Sequence, residues 1–232
     1  MFSQVWSDAF HRVFAPKILL FLLQGLKNTM YIAVVTIALS LVLGTILGLM
    51  RSGKVKPLRA LAAIYIEIVR NIPLTLFIIG MRFMTKLPPL ESGIAAMTVF
   101  TSAVVAEIVR GGLNSVHPGQ WEAAHSQGFG YIGAMLFVIL PQSLRRIRSP
   151  LTSQFVTTIK DTSFCALVGT YELSFTSKIA AAHKSIVTAE DILLIYLLVA
   201  AGYYVVCSIF AYFARRQKEH VGQTVMKTPQ QS

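Results

Sequence analysis

The sequence predicts an all-α, polytopic membrane protein. Three observations carry that reading. Of its 232 residues, 54% are hydrophobic and only 13% are charged, where a soluble domain usually carries about 25% charged residues. Two stretches, 28–50 and 192–214, are apolar and free of charge, each long enough to cross a hydrocarbon core that takes about 20 helical residues. The cations behind the net charge of +11 sit in short clusters between apolar stretches, as in the cytoplasmic loops of membrane proteins. Nucleic-acid binding is not expected, because no dense basic run with interleaved aromatics occurs.

Taken from the N-terminus, residues 1–21 begin with polar residues and Asp8 rather than a basic patch and an apolar core, so no cleavable signal peptide is expected. The stretch VFAPKILLFLLQGL reads as an interfacial helix leading into span one. Span one covers about 28–50, and its Gly44-x-x-x-Gly48 is a weak signal for close helix packing. Spans at about 58–81, 92–113 and 151–175 are apolar but interrupted by charge: Glu67 and Arg70, Glu107 and Arg110, and Lys160, Asp161 and Glu172. Those charges must face protein or a wet cavity. The last span covers about 192–214, followed by a tail at 216–232. Cys165 and Cys207 lie in apolar surroundings outside any CxxC pair, which fits two free buried thiols and supports neither a disulfide nor a metal site.

Five spans place the two ends of the chain on opposite sides. The segments 51–59, 110–150 and 215–232 hold twelve Lys and Arg, and the other side holds seven. The positive-inside rule therefore puts the N-terminus outside and the C-terminus in the cytoplasm.

On that count the longest connection, 114–149, is cytoplasmic, and a loop of that length is usually functional. Pro118 and Gly119 break the preceding helix. Residues 120–127 have helix-forming character, with Glu122 in the first turns, where a carboxylate suits the helix dipole. Ala123 and Ala124 are small enough for a partner surface to approach. Gly128 and Gly130 end that helix, and Tyr131 to Leu140 forms a second, greasier helix stopped by Pro141. Two short helices at a bend can plug into a groove of another protein; a purely structural helix pair is the other reading.

This loop resembles the EAA loop of ABC-importer permeases, whose pattern is EAA, three residues, Gly, nine residues, then Ile-x-Leu-Pro. The chain has Glu122-Ala123-Ala124, Gly128 and Val138-Ile139-Leu140-Pro141; Val138 is the one departure. Further stretches are similar to the polar amino-acid branch: Gly25-Leu26 with Thr29, Glu67-x-x-Arg70 with Ile72-Pro73-Leu74, Ala106 to Gly112, Gly119 to Ala124, Leu140-Pro141-Gln142, and Lys160 to Ser163. The resemblance covers about 22–215. It implies a five-helix, MetI-like type I transmembrane domain in the bacterial inner membrane. It further implies a second permease copy or paralogue, two ATPase subunits holding ATP and magnesium, and an extracytoplasmic solute-binding protein that delivers an amino acid. The resemblance assigns coupling to the ATPase to Glu122, Ala123, Ala124, Gly128 and Pro141.

The tetrapeptide EIVR occurs at 67–70 and again at 107–110. Glu and Arg three residues apart share a helix face and can pair. Arg70 falls roughly 18 Å into its span, with Asn71 and the helix-breaking Pro73 beside it. An internal ion pair and a translocation site both fit there. Glu107 and Arg110 read as structure and loop anchoring. Asp161, Thr162 and Ser163, with Arg70, offer a carboxylate, hydroxyls and a cation, a set that suits the two charged ends of an amino acid; a structural pin is the other reading.

Gly48 to Val55, GLMRSGKV, approaches a P-loop, but Val55 stands where a Ser or Thr must ligate magnesium. No ATP site, enzymatic triad or metal cluster is expected in this chain, and its five histidines are scattered. A self-contained secondary transporter would need inverted repeats of similar size, and the EIVR echo is too short for one. A permease for another substrate class is a nearer rival, disfavoured by the GQWEAA, LPQ and KDTS stretches.

Overall fold

In a computed structural model the chain is described over residues 2–183, 186 and 188–226, with side chains over 4–183, 186 and 188–212. Lys184 and the tail cations Arg215, Arg216, Lys218 and Lys227 therefore lie outside the described side chains. The helices are α1 (Phe2–Val13), α2 (Pro16–Ser52), α3 (Lys56–Asn71), α4 (Leu74–Thr85), α5 (Pro89–Asn114), α6 (Pro118–Ser126), α7 (Tyr131–Gly133), α8 (Leu140–Asp161), α9 (Leu173–Ala181) and α10 (Ala189–Met226). A π-helical segment, Ala134–Ile139, leads into α8, and a 3-10 segment, Thr162–Val168, follows it. No strand occurs among the described residues. Among the described residues three helices are long and apolar enough to cross a bilayer, α2, α5 and α10 over Ala189–Tyr212, and the bent pair α3 and α4 makes a fourth crossing if it is one span.

Four expectations are refined or changed. The stretch VFAPKILLFLLQGL, expected to lead into span one, runs into it without a break: Pro16 opens α2, which continues for 37 residues, because proline suits the first turn of a helix. The separate N-terminal helix is α1. The stretch 58–81 bends more sharply than a simple proline kink: α3 and α4 meet at 104° at Ile72–Pro73, the geometry of a broken span or a re-entrant loop. Proline disfavours helical geometry in the residue before it, and Ile72 is extended. The stretch 151–175 is not one helix. Gly169 takes φ +80°, Glu172 is extended, and α9 starts afresh at Leu173. Finally, Pro141 does not stop the helix at 131–140. The π-helical turns before it widen the backbone, which relieves the clash of the proline ring with the preceding turn, and the rod continues to Asp161.

Two compact bodies make up the chain, one from residues 1–30 with 159–232, the other from 31–158. In the first, Ala9 and Val13 of α1, Ile18 and Leu22 of α2, Leu173 of α9, and Leu194 and Ile195 of α10 share a core. Asp191 is fully buried and receives Arg12 at 2.9 Å. It also accepts the Thr188 amide at 3.1 Å, while its own amide reaches the Thr188 hydroxyl at 3.3 Å, a capping box that starts α10. Glu172 is likewise fully buried. It caps α9 by accepting the amides of Ser174 (2.8 Å) and Phe175 (2.6 Å), and it accepts the Tyr203 hydroxyl at 2.8 Å. Thr29 accepts the Leu173 amide at 3.1 Å, and Asn28 donates to the Tyr171 carbonyl at 2.6 Å.

In the second body α2 crosses α5 closely, with Gly44 against Val105 and Gly48 against Val109. A Cβ on Gly44 would lie 2.7 Å from the Ser102 carbonyl oxygen, and one on Gly48 would lie 2.8 Å from that of Ala106. The small-xxx-small signal thus marks a real backbone approach, and Gly48 belongs to a packed helix. Ile66 and Val69 of α3 pack on Ala103 and Ala106 of α5.

Candidate functional site: a helical knob and an arginine-rich cluster

The loop at 114–149 folds as a knob on the second body. His117 caps α6 by accepting the Gly119 amide at 3.1 Å. The C-terminus of α6 closes in a Schellman arrangement, with the Phe129 amide on the Ala124 carbonyl (3.1 Å) and the Gly128 amide on the His125 carbonyl (3.0 Å). That closure needs a left-handed residue, and Gly128 supplies φ +84°, which costs a glycine little.

Stacking and burial seat the knob. Trp121 stacks on Tyr131 with centroids 5.3 Å apart, and the Lys54 ammonium lies 4.6 Å over the other ring, that of Tyr131, a cation–π contact. Trp121, Met135 and Val138 pack against Val105, Val109, Leu113 and Ile139. Gln142 bridges back to the Gln120 side chain at 2.9 Å, and Arg146 donates to the Ser115 carbonyl.

The five residues expected to serve coupling divide in two. Glu122, Ala123, Gly128 and Pro141 are exposed, whereas Ala124 is buried. Ala124 faces inward and packs within the knob, while Ala123 faces outward. Beside the exposed residues stand Ile132 and Phe137, both more than 70% exposed. That apolar face was legible only as general greasiness of residues 131–140, because the π-helical register decides which side chains turn outward.

Charges cluster at the ends of α2, α3 and α5. The pair Glu107–Arg110 forms at 2.9 Å, as its spacing suggests. The pair Glu67–Arg70 does not form. Glu67 meets Arg51 at 3.2 Å, and Arg70 meets Glu107 at 3.6 Å. Glu107 also lies 3.0 Å from Arg51, so one carboxylate serves three guanidiniums. A tertiary partner displaces the i,i+3 pair, because α5 brings a less exposed carboxylate than Glu67 within reach. Sequence spacing could not show Arg51, which belongs to another helix.

Of the residues proposed for a substrate path, Arg70 and Asn71 lie in one body and Asp161, Thr162 and Ser163 in the other. Thr162 is buried and turns its hydroxyl to the Ile159 carbonyl at 2.8 Å. Among the described residues no group of three or more His, Cys, Asp or Glu could hold a metal ion, and neither Cys165 nor Cys207 forms a disulfide.

Comparison with known proteins agrees with this architecture. Residues 40–219 match the family described as binding-protein-dependent transport system inner membrane component. The chain is 36% identical over 208 residues to a probable glutamine ABC transporter permease protein of Bacillus subtilis, covering 88% of this chain and 94% of that one. It is 32% identical over 160 residues to the glutamine transport system permease protein of Escherichia coli K12, covering 66% and 73%. A crystal structure of an amino acid ABC transporter with histidines superposes with a TM-score of 0.79 at 27% identity, covering 88% of this chain and 95% of that chain. With an all-α architecture, apolar helices long enough to cross a bilayer, and relatives matched over nearly their whole length, the chain belongs to the binding-protein-dependent transport system inner membrane component family and is a multi-pass permease subunit of an ABC importer.

Proposed function

We propose that this subunit forms the transmembrane path for an amino acid handed over by an extracytoplasmic solute-binding protein. Its likeness to glutamine permeases supports an amino-acid cargo. In this reading the knob at 118–142 faces the cytoplasm and docks into a separate ATPase subunit. ATP and magnesium are held by that partner, two copies of which serve the complex. The permease pairs with a second copy of itself or with a paralogue. The N-terminus is outside and the C-terminus is cytoplasmic.

The observation that carries the coupling role is the knob's two-sided construction. One side, through Trp121, Ala124 and Ile139, is locked into the bundle. The other presents Glu122, Ala123, Ile132 and Phe137 to a partner, as an anchored helix presented to a groove does. Arg70, Asn71, Asp161, Thr162 and Ser163 remain the proposed contacts for the amino acid's charged ends, and transport after Asp161→Asn is the direct check of that set.

The test of coupling is Glu122→Arg in the complete transporter, reconstituted in proteoliposomes. Uptake should fall roughly tenfold, the scale of an interface hot spot. ATP hydrolysis should lose its stimulation by loaded binding protein, while the melting temperature of the permease stays put. Undiminished, coupled uptake in that variant refutes the docking role.

A further inference from the structure

The cationic cluster borders a cleft that no residue of the knob at 118–142 lines. A cavity of about 390 Å³ is lined by Arg51, Ser52, Arg59, Ala63, Arg110 and Asn114. Three guanidiniums line it, those of Arg51, Arg59 and Arg110, and the carboxylates paired with them are Glu67 and Glu107. Positive charge is therefore in surplus. Among the described residues Arg59 makes no ion pair, and it is exposed. The Ser52 hydroxyl is fully buried at the cavity wall yet has no hydrogen-bond partner. A buried polar group left unpaired is costly, and a rotation of the Ser52 side chain toward the cationic cavity would let its hydroxyl donate to an anion there.

We propose that this cleft binds the oxyanion of a phosphate ester, with Arg51, Arg59 and Arg110 neutralising it and the Ser52 hydroxyl donating to it. Guanidinium forks match phosphate oxygens in pairs. The source that the surroundings favour is an anionic phospholipid. Alongside the polar stripe of α3 runs a second exposed stripe, Leu58, Leu61, Ile64 and Ile68, which gives acyl chains a surface directly next to a headgroup held in the cleft. Basic pockets between membrane helices on the cytoplasmic side take such headgroups. The lipid assignment rests on the proposed orientation, whereas the oxyanion chemistry does not.

The experiment uses the full chain with its co-purifying subunits, delipidated in a non-ionic detergent and titrated with phosphatidylglycerol, phosphatidylcholine or inorganic phosphate, with native mass spectrometry as readout. Phosphatidylglycerol should bind in preference to phosphatidylcholine, and Arg59→Gln should weaken it roughly fivefold, the worth of one basic residue at a membrane surface. Ser52→Ala, which keeps every charge, should weaken it by a smaller factor. Binding of inorganic phosphate with the same Arg59 dependence, and no lipid preference, keeps the oxyanion site and assigns it to a soluble phosphate. Equal retention of all probes by wild type and Arg59→Gln overturns the proposal. So does an Arg59→Gln variant that sheds its ATPase subunit while holding phosphatidylglycerol normally, because the cleft would then serve an acidic protein partner. Because Arg59 is exposed and unpaired, the variant should fold, and an unchanged melting temperature checks that.

Discussion

Two carboxylate centres in this permease solve the same problem in opposite ways. Glu172 is fully buried and has its acceptor capacity spent on two backbone amides and the Tyr203 hydroxyl. Nothing about it is left to offer. Glu107 keeps 16% of its side chain exposed and is shared by Arg51, Arg70 and Arg110. Its charge is outnumbered, and the surplus is open to the adjoining cleft. A buried acceptor matched by its donors fixes structure. A centre with unmatched cations at a cavity keeps affinity in reserve for a ligand.

The comparison breaks most readily at Glu172. Glu172→Leu leaves two helix-start amides and a tyrosine hydroxyl without an acceptor. The expected loss is about 3 kcal/mol, read as a fall of roughly 10 °C in the melting temperature of the purified chain. Glu172→Gln should recover part of it, because an amide oxygen still accepts. A Glu172→Leu protein as stable as wild type would sink the view of this residue as a structural pin.

An intermediate effect is expected at Glu107. Glu107→Gln removes the common partner of three arginines and should cost about 1 kcal/mol. It should also tighten phosphatidylglycerol binding, since the cleft gains a net positive charge. The smallest effect belongs to Glu67, whose side chain is 65% exposed. Glu67→Gln should change stability by less than about 0.5 kcal/mol. Should Glu67→Gln prove as damaging as Glu107→Gln, the contrast drawn between a shared hub and a solvated side pair fails.

Much of this was legible in the sequence, for identifiable reasons. The long apolar stretches of α2 and α10 announce themselves through composition. The knob was readable because its bend depends on Gly128, and a left-handed residue leaves a mark in sequence. Gly44 and Gly48 were readable as a pair, although only the structure shows that they press on the carbonyls of Ser102 and Ala106. The start of α9 was not readable, because Glu is an uncommon helix cap and Glu172 looked like a charge interrupting a span. The pairing of Arg70 with Glu107 was hidden for another reason: local spacing proposes Glu67, and only the packing of α3 on α5 supplies the better partner. The passage through Pro141 was hidden because the widening before it has no residue signature of its own.

That widened passage has a mechanical consequence. From Tyr131 to Asp161 the backbone is helical throughout, and after Gly133 it contains no glycine at which to fold. Its compliance lies instead at Pro141 and Pro150, which give the helix no amide, so a displacement applied at the Trp121–Tyr131 stack is taken up first at those two prolines.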